Sequence, residues 1–404
     1  MGGGPAATNA LETIREIDGG ESRITLICDE PAHSRMALPY WLAGNIQREH
    51  VMTADPAYFR EKKVDARIGV RATNIDPQAK KITLSDGGSL DYDDLLIATG
   101  SSPAAPPIPG ADSPGVQPLW TIAQTQSVVE NYAGAASPRV VMIGAGFIGF
   151  IMMNAMFKRG WRLSVVEQES RVLPRMLDEG AAGMVASWLA AKDVAVHAGT
   201  TAKEIRSNDS GTKTVALADG TEIEADLVVI ATGIRTNLQV VDGSGIETDQ
   251  GVLVNDRMQT NFPDVYAGGD VAQGPVLGSD AKAIHAIQPT AVDHGRVAGA
   301  NMAGQETHYP GSLLMNVVDV CGLQSASFGN WAEGEAVTIS SPEGHVYRKL
   351  MWTGDQITGA IFTGRANDLG MLNDVGMIKG ILQTQTPMGP WKEFLKENPF
   401  DVRR

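Results

Sequence analysis

The residues with a recognisable chemical purpose in this sequence are mostly glycines. Gly144-Ala145-Gly146-Phe147-Ile148-Gly149 reads G-x-G-x-x-G. In that pattern the first glycine allows a tight turn and the second lets a pyrophosphate touch the backbone. The third lets helix and strand pack closely, while the helix N-terminus offers free N–H groups and partial positive charge. Glu167 follows roughly 20 residues on, where an acid accepts hydrogen bonds from an adenosine ribose. A carboxylate there repels a ribose 2′-phosphate, so NADH is expected over NADPH. A second run, Gly2-Gly3-Gly4-Pro5-Ala6-Ala7, fits G-x-G-x-x-A with Gly2, Gly4 and Ala7 in the key positions. It too is followed, about 20 residues on, by acids, in Cys28-Asp29-Glu30. Two dinucleotide loops in one chain suggest one site for FAD and one for NAD(P)H.

The elements that must hold these loops are also readable. Val140 to Ile143 is a short apolar run of the kind buried on both faces of a parallel sheet. A helix-compatible segment, Phe150 to Arg159, follows and stops at Gly160, and Arg162 to Val166 reads as the next strand. Val140 to Phe157 is almost uncharged and nearly long enough to suggest a membrane span, but glycines at phosphate-loop spacing and Asn154 argue against it. At the first loop a helix is expected over Ala6 to Ile17, with Ala7, Leu11 and Ile14 on one face, and a strand over Ile24 to Ile27. The strand that should precede Gly2 is missing, and it is central in such a unit, so the sequence is expected to begin several residues late. Further strands close on small-residue turns at Ala98-Thr99-Gly100 and at Ala231-Thr232-Gly233. Val265-Tyr-Ala leads to Gly268-Gly269-Asp270, whose acid can bind ribityl hydroxyls.

Composition narrows the field. The chain has 404 residues, 43% of them hydrophobic and 20% charged, with 45 glycines, as expected for α/β domains with many tight turns. Its net charge of -14 would be repelled by a nucleic-acid backbone or an anionic membrane, so neither is expected as a partner. No basic region followed by an apolar stretch opens the sequence, so it reads as cytoplasmic without a signal peptide. Two cysteines, Cys28 and Cys321, make no C-x-x-C pair, and the seven histidines show no metal spacing, so no metal is expected. Both cysteines read as small buried residues and Met152, Met153 and Met156 as core filling.

With these ordered motifs the chain resembles the pyridine nucleotide–disulfide oxidoreductase superfamily, over roughly Gly2 to Gly304. Within it the chain is most similar to NADH reductases of rubredoxin, ferredoxin and nitrite-reductase type. The resemblance implies an α/β fold: two Rossmann-like dinucleotide-binding domains, for FAD and NAD, plus a small α+β C-terminal interface domain. The FAD domain would comprise residues 1–110 and 240–305, the NAD domain 111–239, and the interface or dimerisation domain 306–404. Ser101 to Pro118, rich in Pro, Gly and Ser, suits the crossover. In the last domain Thr353-Gly354-Asp355 signals a hairpin, Asp374 to Thr384 a helix, and Trp391 lies beyond.

Position by position, the resemblance implies that Gly2, Gly4 and Ala7 hold the FAD pyrophosphate and that Asp29 or Glu30 binds its ribose. Arg35 would lie near the phosphates, Ala72 would contact adenine, and Ala98, Thr99, Gly100, Gly269 and Asp270 would line the rest of the FAD site. Gly144, Gly146, Phe147, Ile148, Gly149, Glu167 and Gly233 would serve NAD. Gln288-Pro289-Thr290 would open a helix, running to Ala300, aimed at the flavin pyrimidine. His285 and His294 flank that segment and are expected in surface or supporting roles.

Two departures matter. His33-Ser-Arg-Met36-Ala-Leu-Pro39-Tyr40 resembles the segment that carries a redox cysteine in coenzyme A disulfide reductases and NADH peroxidases, but the matching position here is Met36. A thioether forms no thiolate, so disulfide or peroxide reduction by that route is not expected. Similar reductases also carry a glutamate two residues after the last NAD-loop glycine, and here that residue is Ile151. The expectation is an FAD-dependent NADH oxidoreductase in which no side chain acts as catalytic acid, base or nucleophile. Electrons would pass to an external acceptor such as a small iron–sulfur or rubredoxin-like protein. The alternatives are an electron-transfer subunit of a larger complex such as a nitrite reductase, and a non-turnover NADH-sensing flavoprotein. The C-terminal domain allows a homodimer.

Overall fold

A computed structural model describes residues 1–398 and is mixed α/β. The chain divides into two compact units: residues 1–41, 45–102 and 234–312 form one, and residues 42–44, 103–233 and the chain from Leu313 on form the other.

In the first unit, strand Ile24–Cys28 pairs in parallel with Val64–Ile68, and Leu95–Ile97 pairs in parallel with Val265–Ala267. The backbones of Met1 and Gly2 bridge the two pairs. Gly2 N donates to Ile27 O at 2.7 Å, Met1 N donates to Leu96 O at 2.7 Å, and Ala98 N donates to Met1 O at 2.8 Å. The helix Pro5–Asp18 starts with proline in its first turn and ends at Gly19, at φ 61°, whose N–H returns to Arg15 O. It lies against the helix Gln288–Met302 at close range: a Cβ on Gly295 would sit 2.2 Å from Ala6 O, and one on Gly299 2.5 Å from Ala10 O. Two glycines one turn apart therefore fix this crossing. Strands Ala72–Asp76, Lys81–Leu84 and Ser89–Asp91 form a small antiparallel sheet.

The second unit contains a parallel sheet in the order Ala195–Ala198, Arg162–Glu167, Arg139–Ile143, Leu227–Ile230, Val116–Gln117. The helix Phe147–Lys158 connects two neighbouring strands of it. An antiparallel sheet runs Met315–Val320, Leu323–Gly329, Gln356–Arg365, Val346–Thr353, Glu335–Ser341. The helix packs on strand Met315–Val320 as well as on its own parallel sheet, so both its sides are covered. That explains a segment apolar all round: Phe150, Met152, Met153 and Met156 are all buried. Among the described residues no helix is long and apolar enough to cross a membrane.

The last long helix spans Leu369–Thr384, beginning five residues before the expected Asp374. Asp368 caps it, accepting from Met371 N at 3.1 Å. Gly370, Asn373 and Gly376 weaken the helical signal in its first two turns, and tertiary packing overrides it. Asp374 is buried in an ion pair with Arg348 at 2.7 Å.

Candidate functional site

Both loops begin with a glycine that no other residue could replace. Gly2 has φ 107° and Gly144 has φ 104°, a region disfavoured for side chains. A Cβ on Gly2 would lie 2.0 Å from Ala98 O, and one on Gly144 2.4 Å from Ala231 O. The next motif glycines, Gly4 and Gly146, are different: a Cβ on either would have nothing within 4 Å, so the backbone there is open to a ligand. Each is the N-cap of its helix, and neither helix start is capped by a side chain. Open backbone and uncapped N–H groups are what a dinucleotide pyrophosphate requires, and the residues present fit such a cofactor at both loops.

In the first unit the loop opens onto a cavity of about 330 Å³. Of the residues expected at an FAD site, it brings together Gly2, Gly4, Asp29, Glu30, Arg35, Ala72, Ala98, Thr99, Gly100, Gly269 and Asp270. Ala7 lies behind the loop, buried in the helix. Gln288, Pro289 and Thr290 are not among the lining residues, although Ala291 of the same helix is. They open the helix as expected: Gln288 Oε1 accepts from Ser34 Oγ at 2.9 Å, and Thr290 Oγ1 lies 3.0 Å from His285 Nδ1. His294 points into the core, its ring edge-on to Tyr309 and both its nitrogens without a hydrogen-bond partner among the described residues. Burial, with His285 nearby, pulls it down to about 4.

On the cavity wall Asp270 Oδ2 accepts from Ser101 Oγ at 2.6 Å and pairs with Arg35 Nη1 at 3.6 Å. Arg35 is half-buried, and burial holds it below its ordinary value against the opposing charges of Asp270 and Glu30. Also on its wall, Asp29 pairs with Arg71 at 2.5 Å, and Glu30 Oε2 lies 3.8 Å from His33 Nε2. Arg71, His33 and Asn237 line the cavity as well; His33 opens the segment that carries Met36, and no motif in the sequence points to Arg71 or Asn237. Asn237 brackets Thr99: its Nδ2 donates to Thr99 O at 2.8 Å, and its own carbonyl accepts from Thr99 Oγ1 at 3.1 Å.

The strand-end acids differ between the loops. Gly144 N donates to Val166 O and Gly2 N to Ile27 O, so the residue corresponding to Glu167 in the first unit is Cys28, ahead of both acids. Cys28 is buried beside Gly3, and burial pushes its thiol up to about 11. Cys321 is likewise buried and pushed up to about 12. Neither is a ready nucleophile. Met36 stands exposed in the single turn Arg35–Ala37.

In the second unit Gly144, Gly146, Phe147, Ile148 and Gly149 form the loop and first helical turn. A Cβ on Gly149 would fall 2.8 Å from Gly144 O, which accounts for the third glycine. Glu167 is buried and both its oxygens are engaged, accepting from Ala145 N at 2.8 Å and from Glu169 N at 2.9 Å. Gly233 has φ 131° and follows strand Leu227–Ile230. Ile151 is half-buried on the helix. Among the described residues no cluster of His, Cys, Asp and Glu could hold a metal ion.

A family model described as pyridine nucleotide-disulphide oxidoreductase matches residues 1–295. The chain is 30% identical over 410 residues to the NADH-dependent phenylglyoxylate dehydrogenase subunit epsilon of Aromatoleum evansii, covering 100% of this chain and 95% of that protein. It is 30% identical to rhodocoxin reductase of Rhodococcus erythropolis, covering 100% of this chain and 92% of that one. Its fold superposes on an NAD-dependent persulfide reductase from A. fulgidus with a TM-score of 0.87 at 29% identity, over 96% of this chain and 76% of that one.

Proposed function

The chain belongs to the pyridine nucleotide-disulphide oxidoreductase family and is an FAD-dependent NAD(P)H oxidoreductase, and on that premise we propose how its residues divide the work. When bound, FAD and NADH supply the hydride and electron chemistry, and no side chain has to act as acid or base. The first unit holds FAD. Its Gly2–Ala7 loop and helix N-terminus take the pyrophosphate, and Ser101 and Arg35 orient Asp270 for the ribityl hydroxyls. Residues 1–110 with 240–305 thus make the FAD domain, 111–239 the NAD domain and 306–404 the interface domain, through which the chain can dimerise. In the NAD domain Ala145 N and Glu169 N hold the Glu167 side chain in place, and an acid at that position favours NADH over NADPH.

The acceptor is a small iron–sulfur or rubredoxin-like protein in the cytoplasm. The observation that carries this is the absence of an internal thiol relay: Met36 occupies the position of the redox cysteine, and both cysteines are buried with raised thiols. Electrons must therefore leave directly from the cofactor to an outside partner. A second reading has its own support. The near-complete match to a subunit named epsilon suits an electron-transfer subunit docked in a larger dehydrogenase.

The test is anaerobic titration of the yellow protein with NADH, followed by addition of a [2Fe–2S] ferredoxin, a rubredoxin or a disulfide. Bleaching by NADH and re-oxidation by the iron proteins alone is expected. Flavin that stays oxidised ends the NADH reading, and rapid re-oxidation by disulfide ends the proposed acceptor class.

A further inference from the structure

Part of the cavity wall in the first unit is built from the two places where the chain leaves that unit and returns to it. Thr99, Gly100 and Ser102 line the cavity on the outgoing side, and Asn237, Gln239 and Val240 on the returning side. The two ends run as paired strands, Ser101–Pro103 beside Ile234–Thr236, and Ala104 N donates to Gly233 O at 2.9 Å. Asn237 is the first residue after the returning strand.

Each polar arm of Asn237 meets the outgoing segment. Its N–H donates to Gly100 O at 3.0 Å, and its carbonyl accepts from Thr99 Oγ1 at 3.1 Å. Its Nδ2 donates to Thr99 O at 2.8 Å, and its Oδ1 accepts from Ser102 Oγ at 2.7 Å. Gly100 turns at φ 67° between the residues so held, a conformation that needs an outside tie to define it. Ser101, in the middle of the segment, is buried and donates from Oγ to Asp270 Oδ2 at 2.6 Å. Only a side chain that donates and accepts at this length makes both contacts. Alanine makes neither, and aspartate sets an ionised oxygen against Thr99 O.

Resting on the FAD reading above, we propose that Asn237 is a positioning residue for the cofactor. It fixes the Thr99–Ser102 segment on the cavity wall and, through Ser101, the carboxylate of Asp270. The residue at which the chain returns is thus part of how FAD is held.

The experiment measures FAD retention by the full-length, FAD-loaded protein, from the rise of flavin fluorescence on dilution. Asn237→Ala should raise the dissociation constant about ten-fold, while KM for NADH at saturating FAD stays within about two-fold, because the Gly144 loop is untouched. Ser102→Ala removes one of the four bonds and should weaken FAD about two-fold, which keeps the test open if Asn237→Ala does not fold. Asn237→Asp should match Asn237→Ala near pH 7.5 and recover towards wild type near pH 5, where a protonated carboxyl donates to Thr99 O again. Wild-type retention in Asn237→Ala or Ser102→Ala overturns the proposal. So does a loss in Asn237→Asp that acid does not relieve relative to wild type, or a KM for NADH that rises together with FAD loss. A wild-type chain that binds no FAD would instead remove the parent reading.

Discussion

The loops at Gly2 and Gly144 are the same device built into different surroundings. Their first glycines share φ values of 107° and 104°, and both are hemmed in by an alanine carbonyl, Ala98 or Ala231. Behind the loops the resemblance stops. The helix Pro5–Asp18 meets another helix through Gly295 and Gly299 and keeps a polar outer face. The helix Phe147–Lys158 is covered by sheets and is almost entirely apolar. The first strand ends in Cys28 and the second in Glu167, which is wired to its own loop through Ala145 N. Binding a pyrophosphate constrains the turn and little else. The supporting helix and the strand-end residue are free to follow their neighbours and the cofactor's other half.

The largest expected effect separates the two loops outright. Gly2→Ala and Gly144→Ala each force a side chain into an occupied carbonyl at positive φ, costing about 3 kcal/mol locally. Gly2→Ala should yield a protein that retains no FAD. Gly144→Ala should stay yellow yet fail to bleach with NADH. If both variants lose flavin equally, the two loops do not serve different cofactors.

Acid should tell the units apart next. His294 in the first unit is held at about 4, below the ordinary 6.5, by burial. As pH falls from 6.5 towards 4 the unfolded chain takes up a proton that the folded one refuses. Stability is therefore full above pH 6.5, declines through that window by about 3 kcal/mol, and levels off below it. Denaturant midpoints measured against pH should show this slope, and His294→Leu should flatten it.

Smaller effects sharpen the strand-end contrast. Glu167→Ala should raise KM for NADH about ten-fold and relax discrimination against NADPH, since a charged acceptor is lost. Cys28→Ala at the matching position should leave FAD retention within about two-fold. Unchanged nicotinamide selectivity in Glu167→Ala would remove that residue from the NAD site. Least of all, Ala7→Gly should cost about 1 kcal/mol of stability through helix propensity alone, because the helix there already accommodates a Cβ.

The turns are legible in the sequence because glycines at fixed spacing leave few alternatives, and the strands around them because they are short and continuously apolar. What is not legible is set by distant parts of the chain. Asn237 holds Thr99 across 138 residues, and nothing near either residue announces it. Arg71 gains meaning only from Asp29, 42 residues earlier. The offset that places Cys28 rather than Asp29 opposite Glu167 is a matter of backbone hydrogen bonding, invisible in a count of residues. Likewise the largely apolar helix Phe147–Lys158 is close to membrane-like by itself, and its second cover, strand Met315–Val320, explains it.

Where the chain leaves the first unit and where it comes back are neighbours. Asn237 N donates to Gly100 O at 3.0 Å and Asn237 Oδ1 accepts from Ser102 Oγ at 2.7 Å, stitching departure to return. Such a seam is a natural graft point. Material between residues 103 and 233 can be lengthened, exchanged or excised and the ends rejoined by a few residues, without rethreading the flavin-side fold. A spliced chain of that kind would be expected to keep its colour while becoming blind to nicotinamide.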